Sequence, residues 1–208
     1  MEGKIIVIVG SPRSGKSFLA RKLSKHYGVK SFLEGEMADI PERIKEDIAK
    51  NIRPLERIIW FRNLFIGQYL KALQLRKQGN TIFMDNFWVG PKVFIDILSK
   101  DRFEKDLLHE IFSLDEQIFP MPDLIIHLKA SENKIREFLK KGGRDFDQSE
   151  EFIKNQVLPV TKMWEDFLNS RSSTKDKILF IDRSAIDFEK DGDFTLLIKK
   201  IDSYFPHH

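Results

Sequence analysis

The sequence predicts a three-layer α/β domain, a five-stranded parallel sheet with helices on both faces, and three observations carry that prediction. Five short runs rich in β-branched and apolar residues recur at Ile5–Val9, Val29–Leu33, Thr81–Met84, Leu124–Leu128 and Ile178–Ile181. Each is nearly continuous in apolar character instead of alternating, which is how strands buried on both faces of a parallel sheet read. Helical patterns separate the runs, and strands that alternate with helices call for right-handed crossovers between parallel neighbours.

Taken in order, the first helical pattern runs from Phe18 to Tyr27, directly after a glycine-rich stretch. The second is long. Leu55, Ile58, Ile59, Phe65, Ile66, Tyr69, Leu70 and Leu73 recur at helical spacing between Pro54, a good first residue, and Gly79, a good stop. Shorter patterns cover about Pro91 to Leu98 and Phe103 to about Ile118. Ser131 can cap a helix reaching Lys140, and Ser149 can cap one carrying Phe152, Ile153, Val157, Val160, Met163, Trp164 and Phe167. Pro159 lies inside that last pattern and should kink it.

The 208 residues fit one domain, residues 1–206, with no Pro/Gly/Ser linker or internal repeat; His207 and His208 have the look of a tag remnant. A chain of this length buries roughly 70% of its unfolded surface, enough for a covered sheet. With 41% hydrophobic and 32% charged residues the composition is that of a soluble globular domain. The absence of cysteine leaves no disulfide framework or thiolate metal site and suits the cytoplasm. No signal-peptide pattern precedes the first strand, and no apolar run approaches the roughly 20 residues that span a bilayer. A formal charge of +3 is too small to argue for nucleic acid. Trp60, Phe61, Phe65 and Tyr69 are spaced as a helix face, so they read as core and pocket wall instead of a stacking platform. Phe87 and Trp88 either line a pocket or pack beneath a loop.

Chemistry enters at Gly10, Ser11, Pro12, Arg13, Ser14, Gly15, Lys16 and Ser17. This Gly-x4-Gly-Lys-Ser pattern sits between a strand and a helix, the setting a phosphate-binding P-loop requires. The two glycines let backbone N–H groups turn toward an anion, and the helix that follows points its positive end at the same place. Lys16 is expected to reach the β- and γ-phosphates of ATP or GTP, and the Ser17 hydroxyl to be a Mg²⁺ ligand. The fold is therefore read as that of a P-loop NTPase. Arg13 is either a phosphate contact or a solvated surface charge, and the residues alone leave both open.

Ligands of open α/β sheets bind beyond the carboxyl ends of the strands. Glu34 follows the second strand, Asp85 the third and Asp182 the last. Asp85 suits a Mg²⁺-organising acid, or a helix cap. Glu34 suits a general base for a substrate hydroxyl; Glu36 competes for the same role. Asp182 reads as loop structure. A segment from Lys140 to Asp147, with Gly142, Gly143 and Arg144 inside it, combines mobility with cations and reads as a short lid (about 140–149) or as a charged turn.

These residues resemble the deoxynucleoside kinase family, P-loop enzymes that phosphorylate the 5′-hydroxyl of deoxynucleosides. The likeness spans the P-loop, the helix ending Lys77, Gln78, Gly79, Asn80 before Thr81–Asp85, the run Pro122–Leu128, the lid-like Lys140–Asp147 and the run Ile178–Asp182 followed by Asp187 and Phe188. The resemblance implies ATP as donor and Mg²⁺ as cofactor, with Glu34 as base, Asp85 on the metal, Arg144 stabilising the transferring phosphate and Asp147 near the sugar 3′-hydroxyl. It also implies that residues 183–188 lie near the adenine. The family's arginine after the third strand is Asn86 here, and its base-reading glutamine falls at Arg62 or Asn63; these three are the candidate acceptor contacts. Phe138 and Gly142 stand where two lid arginines would align.

The expected function is ATP-dependent phosphoryl transfer to a (deoxy)nucleoside hydroxyl. A thymidylate-type monophosphate kinase is the alternative, with Arg13 in the loop and Arg57 and Arg62 available for an acceptor phosphate. A nucleotide-binding module without catalysis is the third. The expected partners are small-molecule nucleosides or nucleotides, without nucleic acid or membrane, and the helices between about Pro91 and Ile118 offer a surface for a homodimer.

Overall fold

The computed structural model describes residues 2–34, 40–142, 150–171 and 177–205. Its strands are β1 (Ile5–Gly10), β2 (Lys30–Phe32), β3 (Ile82–Met84), β4 (Leu124–Lys129) and β5 (Ile178–Asp182). All pair in parallel, in the order β2-β3-β1-β4-β5. The helices are α1 (Lys16–Tyr27), α2 (Glu42–Lys50), α3 (Pro54–Lys77), α4 (Ile95–Leu98), α5 (Arg102–Ile118), α6 (Glu132–Gly142), α7 (Glu150–Phe152), α8 (Leu158–Arg171) and α9 (Asp191–Asp202).

Strand periodicity builds the three layers. Along β1, Ile6 and Ile8 face a cluster with Leu19 and Leu23 of α1 and Leu197, Ile198 and Ile201 of α9. Ile5, Val7 and Val9 face the opposite side, against Tyr69 and Ala72 of α3 and Val160, Trp164 and Leu168 of α8. Full burial of each such side chain is worth about 1.5–3 kcal/mol, so both faces of the central strand contribute. Phe87 and Trp88 are fully buried in the second cluster, which resolves their two readings in favour of core packing. The continuous-burial reading holds for β1 and β3 but not for the edges. On β5 the side chains alternate, with Phe180 and Asp182 exposed, because an edge strand has cover on one face only.

Local chemistry sets the helix ends. Gly28, in the left-handed region at φ 66°, closes α1 and donates its N–H to Ser24 O. Pro54 opens α3 at its first position. Asp101 caps α5 by accepting from Glu104 N at 2.8 Å, and Ser131 caps α6 by accepting from Lys134 N at 3.4 Å. Pro159 stays within a helical run that continues from Glu150 to Arg171, with a change of helix type just before it. A π turn at Ile153–Val157 intervenes, and the proline occupies the second position of α8, where its missing N–H costs nothing. The sequence reading missed α2 and α9 altogether. The α5 surface proposed as a dimer contact exposes Phe103, Leu107, Leu114 and Ile118. No helix among the described residues is long and apolar enough to cross a membrane.

His127, on β4, is fully buried with neither ring nitrogen hydrogen-bonded, and its ring meets Phe180 edge-on at 5.7 Å. Desolvation, with Lys129 and Lys16 adding to it, pushes its pKa down from 6.5 to about 4. A depressed folded-state pKa on a base means that its neutral form is the one folded: stability is full above pH 6.5 and is lost as pH falls toward 4. The loss between pH 7.5 and 5 should be of order 2 kcal/mol. His127→Leu should remove that part of the slope, as read from urea midpoints at the two pH values; an unchanged slope would show that the histidine is not buried neutral.

Candidate active site

Parallel strands put every carboxyl end on one side of the sheet, and the order β2-β3-β1 sets the loops after three of them side by side. The loop after β1 needs its glycines. Gly10 has φ 147°, and a Cβ there would sit 2.6 Å from Leu128 O and 3.1 Å from Ser14 Oγ. Gly15 takes φ 94° immediately before α1, and Arg13 also lies in the left-handed region at φ 64°. The loop thus curls back on itself, with Ser14 N donating to Ser11 O at 3.2 Å. The Ser11 and Ser14 hydroxyls are buried without hydrogen-bond partners, which suits a loop whose polar atoms await an oxyanion.

Lys16 Nζ folds over this loop and donates to Ser11 O at 3.0 Å and Gly10 O at 3.3 Å. Burial lowers its pKa, while Glu34 and Asp85 counter that effect and Arg13 adds to it. Its ammonium is therefore poorly solvated and would gain from an arriving anion. Ser17 Oγ donates to Asp85 Oδ2 at 2.5 Å, and the other carboxylate oxygen of Asp85 accepts from Glu34 N at 2.8 Å. Asp85 is only 2% exposed. A hydroxyl and a carboxylate meeting at one point beside the phosphate loop fit Mg²⁺, which takes one or two protein oxygens and completes its shell with phosphates and water. Glu34 completes the row: its Oε2 accepts from Asn86 Nδ2 at 3.3 Å.

Thus Lys16, Ser17, Glu34, Asp85 and Asn86 come together. Arg62 and Asn63 do not join them through contacts among the described residues. The Arg62 guanidinium is doubly hydrogen-bonded to Asp115 of α5, Nε to Oδ2 at 2.5 Å, and its third nitrogen reaches Asn63 Oδ1 at 2.9 Å. Arg57, 4% exposed, holds the α2–α3 connection by donating to Asn51 Oδ1 and Ile52 O. Glu36, Arg144 and Asp147 lie outside the described residues, as does most of the segment expected to form a lid. Asp182 caps a turn, accepting from Ser184 N at 2.7 Å.

Arg183, the first of the residues 183–188 that the resemblance puts near the adenine, lies on the other side of the loop. Arg183 stacks on Phe188 at 3.8 Å, donates Nε to Ser14 O at 3.2 Å and also bonds Ile186 O. It helps line a cavity of about 460 Å³ with Arg13, Gly15, Phe18, Lys134 and Phe138. Burial lowers its pKa, against Asp187 and Glu189. The signal in the sequence was an arginine one residue past a strand's carboxyl end, the same criterion that picked out Glu34.

A glycine-rich loop between β1 and α1, with its lysine, serine and strand-end carboxylate in one cluster, defines a P-loop nucleotide-binding domain. Residues 5–133 match the model of a family described as an AAA domain, and the chain belongs to that family. Two solved structures share the fold over nearly the whole chain. A deoxyadenosine kinase from M. mycoides, with the products dCMP and a flexible dCDP bound, superposes at a TM-score of 0.79 and 19% identity, covering 96% of this chain and 99% of its own. A thymidylate kinase from Candida albicans superposes at 0.72 and 18% identity, covering 98% and 93%. No curated protein matches the sequence.

Proposed function

We propose that the protein transfers the γ-phosphoryl group of ATP to the 5′-hydroxyl of a (deoxy)nucleoside. The observation that carries this is Glu34: a carboxylate next to the Ser17–Asp85 pair that suits Mg²⁺ yet outside it, with its side chain directed to Asn86. A hydrolase would need only an oriented water there, whereas an acceptor hydroxyl calls for a base close to the γ-phosphate. The hydroxyl oxygen bonds to the γ-phosphorus, the bond from phosphorus to the β,γ-bridging oxygen breaks, the proton passes to Glu34 and ADP leaves. When bound, Mg²⁺ on Ser17 and Asp85 would neutralise charge on the phosphates. Lys16 would leave the loop carbonyls for the β- and γ-oxygens, and the cavity beside Arg183 would take the donor nucleoside. Arg144 in the lid and Asp147 near the acceptor sugar complete the proposed set, and the fold shared with the two kinases supports it.

The state of the arginines favours a nucleoside over a monophosphate acceptor. An acceptor phosphate needs an available cation, and both α3 candidates are engaged, Arg62 by Asp115 and Arg57 by the α2–α3 connection. Asn86, where the resembling family has an arginine, is neutral. ADP release with Mg²⁺-ATP should therefore rise with one or more free nucleosides and stay at background with their monophosphates. The opposite preference would reassign the chain to the monophosphate kinases.

A further inference from the structure

We infer that Asn86 is a positioning residue that aims the Glu34 carboxylate, and that Gly90 exists as glycine to let it do so. The inference rests on Glu34 being the base of the proposed reaction. Two hydrogen bonds orient the Asn86 amide. Its Oδ1 accepts from Phe87 N at 2.9 Å, which leaves Nδ2 facing away from the turn. Nδ2 then donates to Glu34 Oε2 at 3.3 Å, across 52 residues of sequence. Around this amide the wall is closed: Phe87, Trp88 and Val89 are fully buried, and a Cβ on Gly90 would stand 2.0 Å from Asn86 Oδ1 and 2.8 Å from its Cγ. Gly90 has no positive φ that would otherwise demand glycine, and a Cβ there would push the Asn86 amide aside.

Two anchors therefore fix Glu34: its backbone N–H on Asp85 Oδ1 and its carboxylate on the Asn86 amide. Asp85 belongs to the metal pair, so the base is indexed to the metal site through the main chain and aimed by a neutral amide. An arginine at position 86 would hold Glu34 as an ion pair, whereas an amide fixes the direction of the carboxylate without placing a full charge beside it.

The test is a double-mutant cycle on kcat with the best acceptor nucleoside. Asn86→Ala should lower kcat about 10–100-fold with little change in the acceptor KM. Gly90→Ala should reproduce most of that loss, because it displaces the amide without touching a substrate. In a Glu34→Ala background, Asn86→Ala should cost nothing further, since its effect travels through the carboxylate. Equal losses in both backgrounds, or a raised acceptor KM at unchanged kcat, would overturn the inference and make Asn86 a direct substrate contact. A second readout needs no turnover: the Asn86 side-chain amide protons in ¹⁵N NMR should shift on Glu34→Ala and on Gly90→Ala. Insensitivity of those signals would overturn the positioning role even if the protein proved to be no kinase. A wild type without acceptor-dependent transfer, but with coupled amide signals, would sink the kinase reading and leave the Asn86–Glu34 pairing standing.

Discussion

Lys16→Ala should lower phosphoryl transfer by about a thousandfold or more while leaving the fold intact. The kinetic half follows from the transition state, in which charge spreads over the γ-phosphate oxygens and positioned cations carry much of the stabilisation. The structural half follows from the electrostatics of the loop itself. Burial already lowers the Lys16 pKa, so the folded protein holds this ammonium at a disadvantage, compensated by two carbonyls and the nearby Glu34 and Asp85. Removing it takes away a desolvated charge and leaves only Gly10 O and Ser11 O short of a donor. The melting temperature should move by a few degrees at most. Turnover within tenfold of wild type would remove Lys16 from the mechanism.

Glu34→Gln should be nearly as severe for a different reason. Glutamine keeps the shape and can still accept from Asn86 Nδ2, so the site remains assembled. It cannot take the hydroxyl proton, and loss of a positioned general base costs about 10²–10⁴-fold in kcat. The Ser17–Asp85 pair should stay assembled, because the backbone N–H of residue 34, not its side chain, contacts Asp85. Parallel measurement of Glu36→Gln separates the two candidate bases. A large loss in the second variant with near-normal rates in the first would transfer the role to Glu36.

The fold was legible where a single local pattern decides it. Continuous apolar runs gave the five strands, and the glycine-rich loop between strand and helix gave the phosphate site. The α2 helix was not legible, because its nine residues offer a thin apolar face around Ile44 and Ile48. Its end is built locally: Asn51 caps it in the left-handed region, Arg53 also takes positive φ, and Arg53 pairs with the buried Asp47 six residues back. By contrast α9 was present in the sequence, with Phe194, Leu197, Ile198 and Ile201 at helical spacing behind a start, Asp191, Gly192 and Asp193, whose residue types weaken a helix signal. The strand-end rule identified Glu34 and Asp85, since it needs only a strand's last residue. It could not show that Arg62 is taken up by Asp115, which depends on how α3 and α5 face each other, nor that Asn86 reaches Glu34 across two strand ends.

The most direct measurement of the central claim follows the γ-phosphate itself. Incubating the protein with γ-labelled ATP, Mg²⁺ and a mixture of nucleosides, then separating the products, shows where the label goes. The account predicts label in a nucleoside 5′-monophosphate, with inorganic phosphate at the level of the Glu34→Gln control. Label released as inorganic phosphate, independent of any nucleoside, would contradict it and identify a nucleotide hydrolase built on the same loop.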